Sequence, residues 1–145
     1  MPPAVGLPPD QRSTMDPAPR HQARERAVTL LYEAELKGRR PSEVLNELMV
    51  APDPYTVALV RTVEARQADI DRLIGAAAIG WEVDRMAVVD RNVLRLAVAE
   101  LLDFPDVPTP VVLNEAVELA SAYSTDDSGR FVNGVLATLA EQVRG

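Results

Sequence analysis

The chain has no cysteine, which excludes disulfides, cysteine metal sites and thiol catalysis and fits a reducing, cytoplasmic setting. Histidine occurs once, and no acid–base pair converges by spacing. The adjacent Asp126 and Asp127, and Asp69 with Asp71, are carboxylate pairs, but i,i+1 and i,i+2 residues of a helix diverge. A catalytic set and a metal site are therefore not expected, and the absence of a glycine-rich cofactor loop argues against a cofactor. Aromatic residues make up 4 %, so the core must be built from Leu, Val, Ile and Ala. No apolar run approaches the length of a membrane span. The opening residues lack the basic and apolar regions of a secretory signal.

What is present is globular in composition: 145 residues, 47 % hydrophobic, enough for one domain that buries roughly 70 % of its unfolded surface. A net charge of −7 opposes indiscriminate coating of nucleic acid. The charge is uneven. Between residues 20 and 40 six basic residues (Arg20, Arg24, Arg26, Lys37, Arg39, Arg40) face three acidic ones (Glu25, Glu33, Glu35), a window of +3 that leaves −10 for the remainder. This asymmetry points to an anionic partner at the basic end or to a solvated, arginine-decorated helix.

Residues 1–18 hold five of the twelve prolines without periodicity and read as a disordered tail, with Met15 an alternative start. Residues 19–145 read as helix throughout. Ala23, Ala27, Leu30, Leu31 and Ala34 share one helical face, and Gly38 supplies a stop. A short helix after Pro41 carries Val44, Leu45 and Leu48 and ends before Pro52 and Pro54. Leu59, Val63, Ile70, Leu73 and Ile74 mark one long helix, or two end to end, from Tyr55 to about Ala78. Ala87 to Leu102 is apolar on most sides, the pattern of a central buried helix. Thr109 and Pro110 read as an N-cap and first helical residue, ahead of an apolar stripe of Val112, Ala116, Leu119, Ala120 and Tyr123. The last helix is expected to start near Ser128 and to bury Val132, Val135, Leu136, Leu139 and Val143. The fold class is all-α, a bundle of about six or seven helices.

Three places invite contact. Arg20 and Arg24 extend the core face of the first helix at its N-terminal end, where the helix already carries partial positive charge. An arriving phosphate would relieve that and accept from free N–H groups; His21 and Gln22 add polar groups. Tyr32 and Phe131 are either core-edge residues or rings on which a base stacks. Asp126, Asp127 and Ser128 either cap the last helix or offer carboxylates to base amino groups, and Asn133 serves either way. Gly134, costly inside a helix, suggests close approach of a backbone or ligand.

The segments RHQARERAVTLLYEAEL, DRNVLRLAVAELL, VPTPVVLNEAVELA and DDSGRFVNGVL, in that order, resemble the NusB family, with weaker matches in PYTVALVRTV and IDRLI. The resemblance covers essentially everything after Arg20. It implies an all-helical bundle of two packed subdomains that acts in transcription antitermination. It further implies binding of boxA RNA jointly with NusE, a small-subunit ribosomal protein, and entry into the RNA polymerase antitermination complex; some relatives form homodimers. By this resemblance the RNA face comprises Arg20, Arg24, Tyr32, Arg95, Asp127 and Phe131, with His21 beside them, and the NusE face centres on Asp90. Asp90 otherwise reads as an acid in a helix N-terminal turn. Where many relatives carry three basic residues in a row, this chain has Arg20-His21-Gln22, which implies a weaker phosphate grip and greater reliance on NusE.

Two other readings compete. A NusB-like domain of a ribosomal RNA methyltransferase would need a cofactor domain and a cysteine nucleophile. A helical adaptor would bind protein partners alone, with its arginines merely solvated.

Overall fold

The computed structural model describes residues 17–145, with side chains from residue 19 onward; residues 1–16 of the expected tail and the alternative start at Met15 lie outside the described residues, while its last two residues, 17 and 18, are helical. Six α-helices and one 3-10 turn account for the architecture, and there is no strand among the described residues.

Proline and glycine set most of the boundaries. Helix α1 (Pro17–Lys37) ends at Gly38, whose φ of 64° is the left-handed conformation that closes a helix; the Arg39 amide reaches back to the Ala34 carbonyl at 2.9 Å. Helix α2 (Pro41–Asn46) is short. It is fixed to its neighbour because Glu64 accepts from both the backbone amide and the hydroxyl of Ser42, at 2.7 and 3.0 Å. Helix α3 (Pro54–Ala77) starts with Asp53 accepting from the Tyr55 amide at 2.7 Å. The choice between one long helix and two resolves as two helical segments end to end, joined across a kink at Arg66, φ −115° and ψ 17°. A 3-10 turn (Val83–Arg85) leads into α4 (Val88–Asp103), followed by α5 (Thr109–Tyr123) and α6 (Asp126–Arg144).

Helix α4 is the axis. It packs against α1, α3, α5 and α6, while α1, α2 and α3 pack together on one side and α5 and α6 on the other. Its apolar residues Val93, Leu94, Leu96, Ala97 and Val98 are each at most 1 % exposed, as an all-round apolar helix must be. Leu30, Leu59, Ile70, Leu119 and Leu136 close the core around it. Truncating any of these leucines would cost about 2–5 kcal/mol.

Two local expectations shift. Thr109 is the first helical residue rather than the cap, with Pro108 in the cap position. Helix α6 starts at Asp126, capped by Thr125, whose hydroxyl accepts from the Ser128 amide at 3.0 Å. Asp126 and Asp127 therefore occupy the first turn, where negative charge meets the positive end of the helix dipole.

Candidate nucleic-acid interface

At the N-terminal end of α1 the basic residues turn inward. Arg24 is 2 % exposed. Its Nε donates to Glu100 Oε1 and Oε2 at 2.9 and 3.0 Å, and its Nη1 donates to Glu115 Oε1 at 3.0 Å. Glu100, itself 1 % exposed, also accepts from the Tyr55 hydroxyl. Burial works against the charge on Arg24, but the Glu100 carboxylate outweighs it and holds the guanidinium pKa above its usual value. Burial and the same carboxylate push the Tyr55 phenol up. Arg20 lies over the Tyr55 ring, 3.8 Å from its centroid, a cation–π contact. The anion that this helix start calls for is thus supplied by the protein, from α4 and α5.

His21 Nδ1 lies 3.0 Å from Glu115 Oε1 and 3.7 Å from Glu118 Oε2. No metal group was expected from the sequence, yet these three residues converge from two helices. Further along, the Tyr123 hydroxyl donates to Glu25 at 2.6 Å. The pairs His21–Glu115 and Glu25–Tyr123 link α1 to α5 through their side chains.

A second arginine cluster lies where α1, α3 and α4 meet. Arg95 donates through Nε and Nη2 to the two oxygens of Asp71, at 2.8 and 2.9 Å, and through Nη1 to Glu35 at 3.2 Å. Arg91 pairs with the other oxygen of Glu35 and donates to the Met86 carbonyl at 2.6 Å. Burial, with Arg95 beside it, lowers the Arg91 pKa. Tyr32, one turn before Glu35, is 37 % exposed.

The region around the start of α6 is different in kind. Trp81, Met86, Ala87, Asp90, Thr125, Asp127, Ser128 and Phe131 line a recess of about 200 Å³. Phe131 is half-buried and meets Trp81 edge to face, with centroids 5.7 Å apart. Trp81 is 54 % exposed; standing in a connection without periodicity, it carries no sequence signal. Asp90 is 9 % exposed. Its Oδ2 accepts from the Ser128 hydroxyl at 3.2 Å, while Oδ1 is buried without a hydrogen-bond partner among the described residues. Burial pushes the Asp90 pKa up, partly opposed by that hydroxyl. Asp127 is exposed and pairs with Arg130, exposed too.

The sequence-derived set therefore divides. Asp90, Asp127 and Phe131 share one recess; Arg24 and Arg95 are held in internal ion pairs; Arg20, His21 and Tyr32 lie along α1. No other part of the described chain approaches Gly134 closely: a Cβ there would meet nothing within 4 Å. The close contact is at Gly129, where a Cβ would stand 2.3 Å from Ser121 Oγ.

Residues 21–141 match the NusB family profile. A transcription antitermination protein NusB of Salinispora tropica is 49 % identical over 129 residues, covering 84 % of this chain and 95 % of that protein. Among solved structures, T. maritima NusB superimposes with a TM-score of 0.78 at 34 % identity, over 86 % of this chain and 92 % of that one. A NusB chain from a complex of the antitermination factors NusB and NusE with double-stranded RNA gives 0.73 at 32 % identity, over 85 % and 96 %. The profile match and the 49 % identical relative place the chain in the NusB family of transcription antitermination factors, which are not enzymes.

Proposed function

We propose that the protein binds boxA-type RNA of nascent transcripts jointly with NusE and enters the RNA polymerase antitermination complex, acting in the cytoplasm. The observation that carries this reading is the recess between α4 and α6. It joins a half-buried ring, an exposed indole, a rim carboxylate and a buried carboxylate oxygen in need of a donor. Rings that stack on bases contribute about 1–3 kcal/mol each. Asp127, whose exposed pairing with Arg130 is worth little, is free to exchange that partner for a base amino group. Asp90 suits an N–H donor from NusE. Arg20, His21 and Tyr32 extend the path along α1.

Arg24 and Arg95 enter this proposal with their guanidinium groups already bonded within the chain. Each is tied to carboxylates, so neutralising a phosphate would first require breaking a native ion pair. With a net charge of −7, this favours weak binding of RNA by the chain alone and a strong contribution from NusE. The related complex of NusB, NusE and RNA supports the same combination.

The test is fluorescence anisotropy of a labelled boxA-like RNA, with and without NusE, at two salt concentrations. Binding that NusE strengthens and salt weakens, with a slope near −0.7 per phosphate on a single strand, is the expected result. Failure to bind in every condition would leave an adaptor that recognises protein alone.

A further inference from the structure

We propose that His21, Glu115 and Glu118 form a site for a divalent transition-metal ion of the zinc type. The site goes beyond the RNA reading and stands without it.

The first argument is geometric. His21 comes from the first turns of α1, and Glu115 and Glu118 are three apart on α5, so both carboxylates face the imidazole. One ligand atom from each residue lies within 4.8 Å of the others. Ligands at about 2.1 Å around a tetrahedral zinc are about 3.4 Å apart. The separations from His21 Nδ1, 3.0 Å to Glu115 and 3.7 Å to Glu118, bracket that value. Imidazole with carboxylate is a donor set that suits zinc and its neighbours better than magnesium or calcium.

The second argument is charge. Arg24 is the guanidinium bonded to this group, and Glu100 already takes it from the other side. Counting Arg20 and Arg24 as +1 each and Glu100, Glu115 and Glu118 as −1 each leaves the network with an excess of negative charge. That excess favours a bound cation. Arg24 also orients a ligand: its Nη1 holds Glu115, 15 % exposed, from the buried side, as outer partners orient metal-bound carboxylates. Glu118, 66 % exposed, closes the site from solvent, and a fourth position stays open to water.

His21 is the chain's sole histidine, which makes the test clean on untagged, full-length protein. Zinc chloride titrated in a calorimeter should give a one-site isotherm in the micromolar range. His21→Ala should weaken it roughly tenfold or more and Glu118→Gln several-fold, whereas Asp69→Asn, at a carboxylate paired with Arg72, should leave it unchanged. The single set of imidazole NMR signals should move with zinc and stay in place with magnesium. Melting curves of His21→Ala, at a position 34 % exposed, report whether the variant is folded. No heat up to millimolar zinc, an isotherm unchanged in folded His21→Ala, or imidazole signals that zinc does not move would each overturn the proposal.

Discussion

The two ends of the interface treat charge in opposite ways. At the start of α1 two arginines, three glutamates, a histidine and a tyrosine are drawn into one network, and its deepest members are satisfied several times over. Around the start of α6 there are fewer charges, yet a buried carboxylate oxygen lacks a donor and an indole stands half in solvent. A dense cluster of charge is not by itself a binding surface: once its members are paired and buried, it is part of what holds four helices together. An unmet hydrogen-bonding capacity beside exposed rings is the better mark of a place that waits for a partner.

That contrast can be broken by mutation. The largest effect is expected at Glu100. Glu100→Ala strands Arg24 without its main partner and should cost about 3–5 kcal/mol of stability, read by chemical denaturation. A variant that unfolds like the parent would mean the network contributes nothing to the fold. Next comes Phe131→Ala, which should weaken RNA binding by about 1–3 kcal/mol while leaving the melting temperature nearly in place. The reverse pattern would move Phe131 into the core.

A smaller effect is expected at Asp90. Its carboxyl holds a proton more tightly in the folded chain than in the unfolded one. The cost in stability is therefore absent below the ordinary carboxylate pKa, grows as pH rises above it, and is complete once pH passes the raised folded value. Asp90→Asn should melt above the parent at pH 7, by up to roughly 1 kcal/mol, and the gap should close toward pH 4. A gap that widens on acidification would show the opposite shift. The smallest change is Gly134→Ala. In an open helical position it should stabilise by up to about 1 kcal/mol and leave RNA and NusE binding unaltered. Loss of either would restore the close approach expected from the sequence.

The helices are legible in the sequence because proline, glycine and apolar spacing act locally, and these alone separate most of the elements. The fate of Arg24 depends on residues 76 and 91 positions away. There was still a signal: Arg24 continues the face of Ala27 and Leu31, and Glu100 is a lone acid late in an otherwise apolar stretch. Two opposite charges, each on a face that must be buried, are natural partners. Trp81 gave no such sign, since its exposure follows from how the connection before α4 is routed. Convergence of His21 with Glu115 and Glu118 likewise depends on the alignment of α1 with α5, which periodicity within either helix does not specify.

At the far end of α6, Arg144 donates to the carbonyls of Glu100, Leu101, Phe104 and Val107 and to the Thr109 hydroxyl. Four of these acceptors belong to the end of α4 or the connection after it, so one guanidinium pins α6 to α4 at that end. The recess lies at the other end of the same two helices. From Arg144 back to Ser128 is 16 residues, a lever of about 24 Å. A tilt of about 5° at the pin would displace the recess wall by about 2 Å at such a length, more than half the thickness of a stacked ring. Arg144 thus sets the angle between the two helices at one end, and the width of the opening between Trp81, Phe131 and Asp90 at the other end follows from that angle.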